Sequence, residues 1–133
     1  MSTLILTLDF PRGPTGQNSR LHWRAKSAKT RAARQATCEV VADAINGESW
    51  PAADFAFRIF YPDLRARDML NTIEGMKADI DGIVDAGLIP DDDWTRVGSI
   101  RIDRDLDRYR PRIELTLTRC ERFVEIKVKG YKP

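Results

Sequence analysis

The chain has 133 residues, 42% of them hydrophobic and 32% charged, with a formal charge of only +2. That length supports one domain with a real core and is too short for two of ordinary size, and the composition excludes a disordered chain. No apolar run approaches the roughly 20 residues that span a bilayer, and Leu4 to Leu8 is too short for a secretory signal and has no basic residue before it. The two cysteines, Cys38 and Cys120, fit neither a CxxC motif nor a disulfide framework. The expectation is a cytoplasmic protein with reduced thiols and no membrane partner.

In chain order, Thr3 to Phe10 alternates as a first strand with Leu4, Leu6 and Leu8 on one face, and Pro11, Gly13 and Pro14 end it. A loop to about Trp23 leads to a helix from Ser27, read as its N-cap, to Asn46-Gly47, with Ala33, Ala36, Val40 and Ala44 as its apolar stripe. Phe55, Phe57, Ile59 and Tyr61 alternate as a second strand before Pro62. A second helix is expected from near Asn71 to Ala86-Gly87, on the spacing of Ile73, Met76, Ile80, Ile83 and Val84. Val97 to Asp103 and Ile113 to Thr118 make two more strands, and Phe123, Ile126 and Val128 suggest an added strand in a C-terminal extension, 119–133. The order β-α-β-α-β-β implies one α+β domain over 1–133, with two helices packed on a mixed sheet.

The charges are segregated. Asp68 to Asp93 holds eight acids against one base, Lys77, and the rest of the chain holds 21 bases and 12 acids. Carboxylates crowded together are readily held by a hard cation such as Mg²⁺, and basic surroundings suit a polyanion, so the pattern points to metal-dependent chemistry on nucleic acid. Such an ion lowers the pKa of a bound water and neutralises phosphodiester charge, and Lys77 would stabilise the developing negative charge or orient the water. On the second helix, positions 70, 74, 77 and 81 share a face and hold Leu70, Glu74, Lys77 and Asp81. The bland reading of that face is a solvated helix on which Lys77 pairs with Glu74 and Asp81. Asp68 precedes this helix and Asp91, Asp92 and Asp93 follow it, and the strand order suggests that the two groups meet at one end of the sheet.

From Arg12 to Arg34 there are seven bases and no acid: Arg12, Arg20, Arg24, Lys26, Lys29, Arg31 and Arg34. They suit phosphate contacts that are salt-dependent and carry little sequence information, the alternative being a solvated helix flank. Arg65 and Arg67, just before Asp68, are placed to hold a strand near the acids, whereas Arg104, Arg108, Arg110 and Arg112 are balanced by Asp103, Asp105 and Asp107. His22 is the only histidine and cannot build a zinc site, so it is assigned to loop order. Trp94 is expected to pack under its loop and Trp50 to anchor one. No Gly-x-Ser-x-Gly elbow or phosphate-binding glycine loop is present.

The run Arg67-Asp68-Met69-Leu70-Asn71, then Lys77, then Asp81-Gly82-Ile83-Val84-Asp85-Ala86-Gly87-Leu88-Ile89-Pro90-Asp91-Asp92-Asp93 resembles the core of the RusA-type Holliday junction resolvases, crossover junction endodeoxyribonucleases common in phages and prophages. The family pattern is an Arg-Asp-x-Asp-Asn turn, a helix bearing a lysine and an Ala-Gly-x-x-x-Asp-Asp loop. The resemblance covers roughly residues 3 to 118, with Asn18 to Trp23 similar to the family's N-terminal loop. It implies Asp68, Lys77 and Asp92 as catalytic residues, Asp68 and Asp92 as Mg²⁺ ligands (with Mn²⁺ a possible substitute), and a homodimer that binds a four-way junction and cuts two opposed strands. Recombination, repair and phage DNA processing are the roles it suggests.

The chain departs from the pattern at Leu70, where the family has its second aspartate, and it carries about three extra residues between Asn71 and Lys77. That shift sets Glu74 one turn beyond Leu70 on the same face, so Glu74 is the expected substitute ligand, with Asp91 and Asp81 the other candidates. Two further readings follow: a junction-binding protein that has lost catalysis at Leu70, and a domain whose acidic face binds a protein partner.

Overall fold

A computed structural model describes residues 2–10 and 23–120, apart from the side chains of Trp23 and Lys26. Strands β1 (Thr3–Asp9), β2 (Ala52–Tyr61), β3 (Val97–Leu106) and β4 (Arg112–Cys120) and helices α1 (Trp23–Ile45) and α2 (Met69–Asp85) follow one another in the expected β-α-β-α-β-β order. The sheet runs β1-β4-β2-β3. β2 and β3 are parallel, which requires the α2 crossover between them, and β4 is antiparallel to both β1 and β2.

Period-two alternation builds the core. Phe55, Phe57, Ile59 and Tyr61 of β2, Ile113, Leu115 and Leu117 of β4, and Leu6 and Leu8 of β1 are buried on one face of the sheet, with Leu115 opposite both Leu6 and Phe57. Val41 and Ile45 of α1 and Met76 and Ile83 of α2 join them in the same core. The other sheet face carries polar residues such as Arg58, Glu114 and Thr116, so this is a two-layer α+β domain. Trp50 is 1% exposed, as expected of an anchor; its backbone N–H donates to the Leu88 carbonyl at 2.6 Å.

Both helix stops fall where the sequence set them, at Asn46-Gly47 and at Gly87, and all three residues have positive φ. The starts differ. α1 begins at Trp23, so Ser27 lies within the helix rather than capping it. α2 begins at Met69 because the Asp68 side chain caps it, two residues before the expected start. β3 runs on to Leu106, since its pairing with β2 continues as far as Tyr61 opposite Leu106. Arg119 and Cys120, assigned above to the extension, belong to β4. The added strand over Phe123 to Val128 lies outside the described residues.

The apolar stripe of α1 is also corrected. Ala33, Ala36, Val40 and Ala44 are exposed, and the buried positions are Thr37, Val41 and Ile45. The cause is the helix crossing: at Gly82 of α2 a Cβ would lie 2.5 Å from the Arg34 carbonyl oxygen and 3.0 Å from the Thr37 Cβ, so α2 covers the 34, 37, 38 and 41 side of α1. Beside that crossing Thr37 Oγ1 donates to the buried Asp79 carboxylate at 2.7 Å.

A candidate lysine and carboxylate site

The end of α2 and the loop after it are fixed by burial. Leu88 and Ile89 are 0% and 1% exposed, which pins the chain immediately before Pro90 and brings Asp91 to Asp93 back along the helix. The three aspartates then divide their work. Asp91 Oδ1 accepts the Asp92 N–H at 2.8 Å, Asp93 Oδ1 accepts the Thr95 N–H at 2.8 Å, and the Asp93 carbonyl accepts from Arg96 and Val97 at the start of β3. Asp92 is left to reach across to α2.

There it meets Lys77. The Lys77 Nζ donates to Asp92 Oδ2 and, one helical turn on, to Asp81 Oδ1 at 2.9 Å. Asp81 turns its other oxygen toward Arg34 of α1, with Nη1 at 4.0 Å, and Arg34 also grips Asp85 with two bonds of 2.5 and 2.8 Å. The result is a row of alternating charge, Asp85, Arg34, Asp81, Lys77, Asp92, drawn from two helices and a loop. The hydrogen bonds to Asp92 and then Asp81 raise the Lys77 pKa. The bond from Lys77 lowers that of Asp92, and the bond from Arg34 lowers that of Asp85. Asp79 behaves oppositely: burial pushes its carboxyl up to about 6 against the single stabilising bond from Thr37.

Asp68 stands apart from this row. Its Oδ1 accepts the N–H groups of Leu70 at 2.8 Å and Asn71 at 3.2 Å, the bonds of an N-cap. Nine residues of helix separate it from Lys77, about 13 Å of rise. Asp68 bonds to its own helix start and Asp92 to Lys77. β2 and β3 run parallel, so the turn after β2 leads into the start of α2 and the loop before β3 leaves its end, from where Asp92 reaches back to Lys77 at mid-helix. Glu74, exposed and one turn from Lys77, is nearer the row; Leu70 is 76% exposed. The carboxylate oxygens of Asp68, Glu74, Asp91 and Asp92 have the donor chemistry a hard cation takes, and of these Asp92 contacts Lys77, with Asp91 its chain neighbour and Glu74 one helical turn before the lysine. Among the described residues, no three acidic, histidine or cysteine side chains form a ready-made cage.

Of the bases expected to bind phosphate, Arg24, Lys29 and Arg31 lie exposed on α1. Arg34 is committed to Asp85 and Asp81. Arg67 is held by Asp63 at 2.8 Å and lies over the Tyr61 ring, 4.4 Å from its centroid, beside the exposed Arg65. Arg12, Arg20 and His22 lie outside the described residues, as does the side chain of Lys26. Trp94 is 47% exposed rather than packed away. A groove of about 600 Å³ opens between the end of β1, α1 and α2, with Phe10, Ala33 and Val40 on its walls and Glu74 and Lys77 among its lining residues.

Sequence reasoning signalled the pairing of Lys77 with Asp81, because the two have i, i+4 spacing, and named Lys77 and Asp92 without predicting their contact. It missed Arg34 as an internal partner and the buried pair of Thr37 and Asp79. Both are contacts between α1 and α2, and no local spacing signals them. No protein-family model and no curated protein matches this chain. No helix among the described residues is long and apolar enough to cross a membrane.

Proposed function

We propose that the chain is a Mg²⁺-dependent endodeoxyribonuclease that hydrolyses phosphodiester bonds in branched DNA such as a four-way junction. The observation that carries this reading is the ion pair between Lys77 of α2 and Asp92, 15 positions on in the following loop. Helix lysine and loop aspartate are two of the separated elements of the RusA-type pattern, and Glu74 lies one helical turn before the lysine and Asp91 one residue before the aspartate. Asp92 would hold the ion, with Glu74, Asp91 and Asp68 the other carboxylates available. When bound, the ion would supply an activated water and neutralise charge on the scissile phosphate, and Mn²⁺ would serve in its place.

The chain's own residues supply the rest. Lys77 presents an ammonium to the phosphate oxygens on which negative charge grows in the transition state. Arg24, Lys29 and Arg31 on α1 offer sequence-independent contacts to the DNA backbone, which makes affinity fall steeply with salt. Arg65 extends that surface toward the start of α2. Paired cuts on opposed strands call for a two-fold homodimer in which each copy contributes one site. A cytoplasmic role in recombination, repair or phage DNA processing fits this activity.

One observation favours a second reading, a junction-binding protein that does not cut. Asp68 is spent as a helix cap and Leu70 stands where a third ligand is expected, so the carboxylate set is thin. The two readings part on a synthetic four-way junction. Symmetric nicking that needs Mg²⁺ and is lost in Asp92→Asn supports the nuclease. Tight binding without nicking supports the second reading, and absence of binding rejects both.

A further inference from the structure

We infer that Asp81 is a positioning residue for the Lys77 ammonium, and that Arg34 of α1 holds Asp81 in place for that task. The inference rests on the nuclease reading, in which Lys77 acts on the substrate. Lys77 is 60% exposed and ends a long flexible side chain, so it needs fixed partners to occupy one position. It has two, Asp92 and Asp81. They are not equivalent. Asp92 sits on the loop and is the carboxylate proposed for the metal, so a bound cation would compete with the ammonium for its oxygens. Asp81, named above among the alternative ligands, instead has its second oxygen turned to Arg34. Were Asp92 to hold the cation, Asp81 would be the contact that keeps Lys77 from swinging into solvent.

Asp81 is itself restrained. It lies one turn from Lys77 on the same helix and is 25% exposed, and its second oxygen faces the Arg34 guanidinium at 4.0 Å. Arg34 in turn is clamped to Asp85 by two parallel bonds, the geometry in which a planar guanidinium is most rigid. The backbone contact at Gly82 fixes the helix spacing that lets Arg34 reach both acids. The two oxygens of Asp81 therefore point at two different cations, one structural and one assigned to the reaction. A glutamine or asparagine would reach as far as an acid does, but would hold the ammonium only weakly.

The test is a comparison of wild type, Asp81→Asn, Asp81→Glu, Arg34→Gln and the Asp81→Asn/Arg34→Gln double variant in the full chain. Cleavage of a synthetic four-way junction with Mg²⁺ is measured beside the order parameter of the Lys77 ammonium from ¹⁵N relaxation. Asp81→Asn should lower kcat by about tenfold or more through misplacement of the lysine, with KM and junction affinity within about twofold. Asp81→Glu should recover part of the rate. Arg34→Gln should give a smaller loss, and the double variant should be no worse than Asp81→Asn alone. The Lys77 order parameter should fall in Asp81→Asn. An active wild type whose kcat and ammonium order are both unchanged by Asp81→Asn overturns the positioning role. A wild type that binds junctions without cutting overturns the nuclease reading instead; the ammonium order parameter then still tests whether Asp81 holds Lys77.

Discussion

The two ends of α2 carry similar residues and use them differently. At its N-terminal end Asp68 turns its carboxylate onto the helix's own backbone, and Leu70 and Ile73 beside it are exposed. In its second half Asp81 and Asp85 turn outward to cations on the same helix and on α1, and Lys77 reaches a loop beyond. The residue types do not set this difference. Asp68 meets four unpaired N–H groups at a helix start, where a carboxylate is drawn inward. Asp81 and Asp85 face a second helix that Gly82 allows to come close.

The largest expected effect tests which end carries chemistry. Lys77→Ala and Asp92→Asn should each lower junction cleavage by about 10²- to 10⁴-fold, the range for removing a group that acts in the transition state. Asp68→Asn keeps a capping side chain and should cost far less if the reaction is centred on Lys77. Parallel rate measurements on the three variants decide this. Equal losses in all three would show that Asp68 acts together with Asp92, and the contrast between the ends would collapse.

Much of this contrast could be read from the chain, and the unreadable part has one cause. Strand alternation, the stops at Asn46-Gly47 and Gly87, and the spacing of Lys77 and Asp81 are local periodicities, and each is found as expected. The buried stripe of α1 differs from the expected one because Ala33, Ala36 and Val40 are apolar as well, while the covered stripe includes Thr37. Only the α2 crossing decides which side is covered. Thr37 and Asp79 escaped notice for the same reason, since a threonine and an aspartate look like surface residues until two helices close over them.

The buried pair gives the next effect in size. Asp79 is 8% exposed and its carboxyl is raised from 3.8 to about 6 by burial, so the folded state holds this proton more tightly than the unfolded chain. The contribution of Asp79 is therefore most favourable below pH about 4 and is lost as pH rises through about 6, a swing on the order of 3 kcal/mol. Asp79→Asn keeps an acceptor for Thr37 and removes the charge. It should raise stability at pH 7 by a similar amount and flatten the fall between pH 4 and 6 in chemical denaturation. An unchanged pH profile would mean that Asp79 titrates like an exposed acid, and that the face shared by α1 and α2 is wetter than its burial implies.

Gly82→Ala attacks the crossing directly. The new methyl would lie 2.5 Å from the Arg34 carbonyl oxygen, 3.0 Å from the Thr37 Cβ and 3.1 Å from the Cys38 nitrogen, two of them backbone atoms, so the helices must separate. The expected loss is about 1–3 kcal/mol, as for an overpacked core, even though alanine is the better helix former. The ion pairs from Arg34 to Asp85 and Asp81 should loosen with it. Denaturation midpoints measure the first effect and the Lys77 ammonium order parameter the second. A stabilised Gly82→Ala would show that helix propensity outweighs the close contact at this position.

The smallest effect belongs to the opposite end. Asp68→Ala removes the acceptor for the Leu70 and Asn71 N–H groups and should cost about 1 kcal/mol, the usual loss for an N-cap. Asp68→Ser, which still caps, should recover most of that stability. The decisive comparison is between the two variants in cleavage, since a serine restores the cap but supplies no carboxylate to a metal. If cleavage recovers with stability, Asp68 serves only to start the helix that presents Lys77. If stability recovers and cleavage does not, the Asp68 oxygen that accepts neither N–H is the one the reaction uses, and the inward-turned acid has two roles.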